Sequence, residues 1–423
     1  MFALNRLTAG VAAAMLALAG TSASANKTEL DALDLESAPE KPAPTSVGTR
    51  FFVEAAAGQA NQRFGQGTRD IGRLSLDFAH TQKITPELRA VLSNRLDHFH
   101  PREAGSQATV NSLREAYLGW QPVEDTVLEL GRVNLRYGPA YGYNPTDFFR
   151  DGSLRAIVSA NPFTLRETRL GTVMLRGQKL WSGGSLSLAY SPKLEDRPSQ
   201  DTWSLDLGST NNRDRAVLAL GTQLSSSVNT QLLIYKQSGL SSTVGASVSA
   251  LVSDAAVLHA EWTRGKEPSI RDVLLMQTGQ NKTADRFAGG LTYTTSSKLS
   301  LTAEYQYNGF GLSKNQWNGL GSINPQLQGA YIREALRRQE ITSRQAYLFY
   351  ATQRDLVWKD MDLTAFVRLN AEDSSRLFWL ELRYRWSRFD LAFQWQENRG
   401  KSGTEYGAFP DRRAVQLTGT YRF

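Results

Sequence analysis

The sequence predicts an all-β fold, a transmembrane antiparallel up-and-down β-barrel of about 18 strands with long extracellular loops, one of them folded into the lumen. Three observations predict it. From Arg50 onward, segments of roughly 10 residues alternate apolar and polar side chains. The connections between these segments alternate short and long. The chain opens on an export signal and closes on a strand whose last residue is Phe423.

Residues 1–25, MFALNRLTAGVAAAMLALAGTSASA, hold Arg6, an apolar core from Val11 to Ala19 and the small-residue pattern Ala23-Ser24-Ala25. That is the layout of a secretory signal peptide cleaved after Ala25, and its apolar core is too short to cross a bilayer. Residues 26–48 mix acids with Pro, Ser and Ala and have little to bury, so they are expected to form a mobile periplasmic lead-in to a barrel at 49–423. The chain has no cysteine, so burial and backbone pairing must supply its stability.

The strands are expected to start near residues 50, 70, 86, 107, 126, 169, 184, 213, 228, 241, 255, 284, 299, 344, 361, 376, 389 and 413. In LSLTAEYQYN, Leu299, Leu301, Ala303, Tyr305 and Tyr307 share one face, with Ser300, Thr302, Glu304, Gln306 and Asn308 on the other. One face suits lipid and the other water. FDLAFQWQEN and ELRAVLSNRLD repeat the scheme. A soluble all-β protein would alternate similarly, but the aromatic strand ends at Tyr305, Tyr307, Trp386 and Trp395 fit interfacial girdles. Short connections such as WSGG, SDAA and TSSK belong in the periplasm; the long ones at 138–168, 192–212, 265–283, 308–343 and 397–412 belong outside.

Two strands break the pattern. In LELGRVNLRYG, Leu128 and Leu130 share a face with Arg132, Asn134 and Arg136, and a bulge near Gly131 would return Val133 and Leu135 to lipid. In LREAYLGW, either Arg114 or Glu115 must point outward unless the strand is irregular there.

The lumen of an 18-strand barrel is wide unless something fills it. RYGPAYGYNPTDFF, Arg136 to Phe149, is too interrupted for a strand and too aromatic for an ordinary solvated loop. Its place after the fifth strand is similar to the constriction loop of general porins, so infolding is expected. Inward positions include Arg73, Arg89, Arg95, Arg176, Arg215, Arg286, Arg368, Arg383, Arg385 and Arg422. They exceed the acids beside them, and about half are expected to pair across strands. The formal charge of +7 falls to +6 without Arg6, so the lumen should prefer anions. PQLQGAYIREALRRQE places Tyr331, Ile332, Ala335 and Leu336 on a helical stripe, suiting a short helix that caps the pore mouth or meets lipid phosphates.

Enzymatic function is not expected. The histidines are His80, His98, His100 and His259, without metal-ligand spacing, and no nucleophile elbow follows a strand. No cofactor, metal or nucleic-acid partner is expected either.

The ending QLTGTYRF resembles the C-terminal strand signal read by the barrel-assembly machinery. LREAYLGWQ followed by LELGRVNLRYGPAYGYNPTDFF resembles bacterial outer-membrane porin-like proteins and is somewhat similar to the alginate-export channels. That resemblance implies an 18-strand channel with Arg132, Tyr141, Tyr143, Asn144 and Asp147 near its constriction. Arg136, Arg150, Arg89, Arg95, Arg383 and Arg385 complete the expected pore-lining set. The function expected is diffusion of small polar, anionic or sugar-like solutes; the alternatives are export of an anionic polymer handed over by periplasmic partners, and a structural or adhesive barrel. Outer-membrane lipid and lipopolysaccharide would surround it.

Overall fold

A computed structural model describes residues 48–65, 67–101, 107–199, 201–277 and 281–423. The expected signal peptide and all of the lead-in but Gly48 lie outside the described residues. In chain order the strands are β1 (Gly48–Gln62), β2 (Thr68–Lys83), β3 (Leu88–Phe99), β4 (Thr109–Val123), β5 (Thr126–Val133) and β6 (Thr172–Trp181). Then come β7 (Gly184–Ser191), β8 (Arg215–Ser225), β9 (Val228–Gln237), β10 (Thr243–Ser253), β11 (Ala256–Glu267) and β12 (Lys282–Thr294). The last six are β13 (Leu299–Asn308), β14 (Gln345–Gln353), β15 (Met361–Asn370), β16 (Arg376–Arg385), β17 (Phe389–Arg399) and β18 (Asp411–Arg422). Each start lies within three residues of the position its alternation predicts.

Every strand pairs antiparallel with its neighbours in sequence, and β18 returns to β1 from Phe52↔Arg422 to Gln62↔Asp411. Among the described residues, closure leaves no strand edge unpaired. Along β13, Thr302, Glu304, Gln306 and Asn308 are buried inside, while Leu301, Ala303, Tyr305 and Tyr307 face out. The outer wall is apolar: Leu130, Leu175, Leu188, Leu232 and Ile234 are each more than half exposed. This inverts the arrangement of a soluble protein, and an apolar surface of that extent needs hydrocarbon against it. Aromatic contacts gather at both ends, with Tyr305 and Tyr347 5.5 Å apart at one and Tyr384 and Trp386 4.4 Å apart at the other. At one end the connections are short, as at 124–125, 182–183, 226–227 and 254–255; at the other lie 134–171, 192–214, 268–281, 309–344 and 400–410.

Among the described residues the long connections carry five helices: α1 (Pro162–Thr168), α2 (Leu207–Thr210), α3 (Ile270–Leu274), α4 (Lys314–Ile323) and α5 (Pro325–Arg338). Ser313 starts α4 with a reciprocal capping box to Gln316.

The two irregular strands resolve differently. In β4 the register against β3 jumps, with Ser93 opposite Glu115 and Asn94 opposite Leu113, so Arg114 is the extra residue of a bulge. Neither charge is stranded: Arg114 forks onto Asp77 with two bonds of 2.7 Å, and Glu115 accepts the Asn134 N–H at 3.4 Å. The bulge expected near Gly131 is absent. Pairing with β6 continues unbroken through Gly131, Arg132 and Val133. Val133 and Leu135 are therefore not on the lipid face; they are buried in a cluster with Tyr137, Phe149 and Met174. Gly131 instead has φ 133°, and a Cβ there would meet the Ala116 carbonyl oxygen at 2.3 Å. Only glycine fits.

Candidate functional site: the segment inside the barrel

Residues 134–171, between β5 and β6, pass into the barrel and bind inward residues of β11 and β13, strands six and eight places further on. Two buried carboxylates receive them. Glu261 on β11 accepts the Ala140 N–H at 2.7 Å, the Thr146 N–H at 3.1 Å, the Thr146 hydroxyl at 2.6 Å and the Asn144 amide at 3.0 Å. Glu304 on β13 accepts the N–H groups of Tyr141 and Gly142 at 2.7 and 3.0 Å and the Gln306 amide at 2.6 Å, and lies 3.2 Å from His259 Nε2. A loop leaves backbone donors that must be satisfied, and here wall carboxylates do so. At Gly138 φ is 87°, and a Cβ would fall 2.2 Å from the Glu261 carboxylate. The close approach requires glycine.

The return leg is pinned as firmly. Asn161 caps α1 by accepting the Phe163 N–H at 3.0 Å, and Arg166 reaches back to the Gly138 carbonyl at 3.2 Å. Arg169, 1% exposed, binds Asp147 at 2.6 Å and the Leu135 carbonyl at 2.8 Å. Tyr141 lies against His259, Tyr350 and Phe163 with centroids 5.0 to 5.8 Å apart. These aromatics join the segment to the wall.

A second layer covers the first. Tyr331, Ile332 and Ala335 of α5 are buried against Trp317 and Leu320 of α4, whereas Leu336, expected on the same stripe, is 40% exposed. The helices sit on the infolded segment: the Gly152 N–H bonds the Arg337 carbonyl at 3.0 Å, and Gln339 donates to the Arg150 carbonyl at 2.6 Å. Of the two roles expected for this helix, the packing is that of a cap. Glu340, just past α5, ties the layers together by accepting from the Tyr143 hydroxyl at 2.5 Å and Arg150 at 2.6 Å, with Arg286 at 3.2 Å. Burial alone would raise the Glu340 pKa, but Arg286 and Arg150 outweigh it and hold the carboxyl below its ordinary range. Burial, with the Glu340 charge, pushes the Tyr143 hydroxyl well up.

Between the segment, α5 and the inner walls of β2, β15, β16 and β17 lies a cavity of about 760 Å³. Five of the expected pore residues line it: Tyr141, Tyr143, Asn144, Asp147 and Arg150. Six lie elsewhere. Arg132 is buried at the end of β5, donating to the Leu113 carbonyl at 3.0 Å, and Arg136 is exposed. Arg89 is bound to Glu129 at 3.1 Å, Arg95 to Glu54 at 2.8 Å, Arg383 to Glu381 at 2.8 Å, and Arg385 to Asp362. Arg73 and Arg368, expected at inward strand positions, line it too; Arg155, Arg166 and Glu405, which lie in connections without periodicity, were not expected there.

The expectation that about half of the inward arginines pair is too low. Arg73 and Arg95 share Glu54; Arg89 and Arg176 share Glu129; Arg286 meets Glu267; Arg383 and Arg422 meet Asp390; Arg385 meets Asp362. Arg215 and Arg368 donate hydrogen bonds to the carbonyls of Thr210 and Gly142. Inside a wall of low dielectric an unpaired guanidinium is costly, and each of these arginines meets an acid on a strand or a carbonyl of a connection.

Comparison with known proteins adds the fold. No protein-family model and no curated protein sequence matches this chain. Among solved structures, Acinetobacter baumannii OccAB1 superposes with a TM-score of 0.59 at 10% identity, covering 89% of this chain and 96% of that one. Acinetobacter baumannii OccAB4 superposes with a TM-score of 0.54 at 10% identity, covering 90% of this chain and 99% of that one. At that identity the likeness is one of fold: this chain is built as those barrels are.

Proposed function

We propose that the chain is an outer-membrane channel through which small polar solutes diffuse, with a preference for anions and room for sugar-like molecules, and that residues 134–171 form its constriction. The observation that carries this reading is the composition of the cavity lining, where six arginines stand against four carboxylates inside a closed barrel whose outer wall is apolar. A net positive charge confined by a low-dielectric wall raises the local anion concentration. Export of a polymer is not favoured, because the segment and the α4–α5 cap cross the lumen and the wall arginines are paired instead of forming an open track.

Purified protein in a planar bilayer tests the proposal. Discrete conductance steps are expected, with reversal potentials in a salt gradient on the anion side. The preference should be strongest at low salt, since the Debye length shrinks from about 30 Å at 0.01 M to about 3 Å at 1 M. A cation-selective channel at low salt would remove the anionic reading. A properly folded barrel without conductance would favour a structural or adhesive role.

A further inference from the structure

The cavity lining carries a carboxyl that the constriction does not use. Glu405, in the connection between β17 and β18, is 9% exposed and lines the cavity together with Arg368 and Asn370 from the inner face of β15. Its carboxylate accepts the Asn370 amide at 2.7 Å, and its backbone N–H donates to Asp373 at 2.7 Å. Arg368 gives one Nη to the Gly142 carbonyl at 2.7 Å, and its buried Nε has no hydrogen-bond partner among the described residues. Of the other cavity arginines, Arg69 meets Asp411 at 2.6 Å, Arg73 meets Glu54 at 2.5 Å and Arg150 meets Glu340 at 2.6 Å, while Arg155 and Arg166 donate to the carbonyls of Ser204 and Gly138. Arg368 is held by a carbonyl. Glu405 lines the same cavity, is bound to Asn370 two residues along the same face of β15, and feels the Arg368 charge.

We propose that Glu405 sets the charge selectivity of the cavity, balancing Arg368 when ionised and leaving that guanidinium to passing anions when protonated. The inference rests on the channel reading. The groups facing Glu405 are Arg368 from β15, Asp373 from the turn after it, Tyr331 from α5 and Tyr406 on its own connection. Burial is the largest influence, and with the like charge of Asp373 it pushes the carboxyl up to about 7, against the hydrogen bond of Asn370 and the Arg368 charge. For a raised carboxyl the neutral form holds below that pH and the anion above it. The cavity therefore gains positive charge as pH falls through 7.

The test uses the full chain in planar bilayers, with reversal potentials in a dilute potassium chloride gradient from pH 5 to pH 9. In the unmodified channel the chloride-to-potassium permeability ratio should rise about two- to fivefold as pH falls, the effect of one unit charge a few ångströms from the path in water. The midpoint should lie near 7. Glu405→Gln, isosteric with the protonated acid, should hold the acidic value at every pH. Asp373→Asn removes the like charge and should move the midpoint down. A conducting channel with flat selectivity across this range, or a Glu405→Gln variant that keeps the step, overturns the inference while leaving the channel reading intact; an unmoved midpoint in Asp373→Asn counts against it in the same way. A folded barrel that does not conduct overturns the channel reading itself, and the inference with it.

Discussion

At the scale of single residues, the lumen is organised by carboxylates whose partners are backbone groups as well as arginines. Glu261 takes four hydrogen bonds from Ala140, Asn144 and Thr146, with both oxygens engaged. A neutral amide in its place would turn an NH₂ toward N–H donors whichever way it is flipped. Bonds to a charged group contribute roughly 1.5–3 kcal/mol each, and a buried donor left without a partner costs about 1–3 kcal/mol. Glu261→Gln should therefore loosen the turn at 138–147 without opening the barrel, whose ladder does not depend on that side chain. Hydrogen exchange should show faster exchange at Ala140 and Thr146 with β11 and β12 unchanged. Equal protection of those amides in variant and parent would mean that the aromatic contacts of Tyr141 hold the segment unaided.

At the scale of elements, strands were legible in the sequence and connections only in part. A strand with water on one face and lipid on the other writes its identity at every second residue, so even β9 and β16 start at the residues their alternation gives. The bulge at Arg114 was visible as a conflict, because two successive charges cannot both face a lumen; which residue is extra depended on β3, and that lies outside local pattern. Gly131 looked like the other bulge and is instead a regular pair with an unusual φ, since the close Ala116 carbonyl asks for glycine without adding a residue. The cavity was half legible. Tyr141, Tyr143, Asn144, Asp147 and Arg150 stood out by composition, but Glu405 belongs to a connection with no period, and its neighbour Arg368 is near it only because β15 and the last long connection meet in space. The element with the largest expected effect is the infolded one. Replacing Ala140 to Asn161 by a short Gly/Ser linker removes the bonds to Glu261 and Glu304 and the layer beneath α5, so single-channel conductance should rise severalfold in a barrel that still shifts with heating on a gel. Unchanged conductance in such a folded variant would place the ion path away from the segment.

At the scale of the whole molecule, orientation follows from closure and loop length together. Eighteen is even, so β1 begins and β18 ends at the same end of the barrel, the one with the short turns. Short turns belong on the periplasmic side of such barrels and long connections outside, where nothing has to be carried back across the membrane. Three exposed positions divide the two ends: Asn315 on α4 and Ser402 in the β17–β18 connection lie at the long-loop end, and Ser182 lies in the two-residue turn between β6 and β7. The absence of native cysteine makes each single substitution a clean reporter. On intact cells an impermeant maleimide should modify cysteine at Asn315 and at Ser402 and leave cysteine at Ser182 untouched until the outer membrane is opened. The reverse pattern would turn the barrel over, placing the α4–α5 cap and the Glu405 cavity mouth in the periplasm, where they could meet only solutes on their way out. Labelling at all three positions in cells with a sealed outer membrane would mean that the barrel is not seated in that membrane, and the apolar outer wall would then need another partner to cover it.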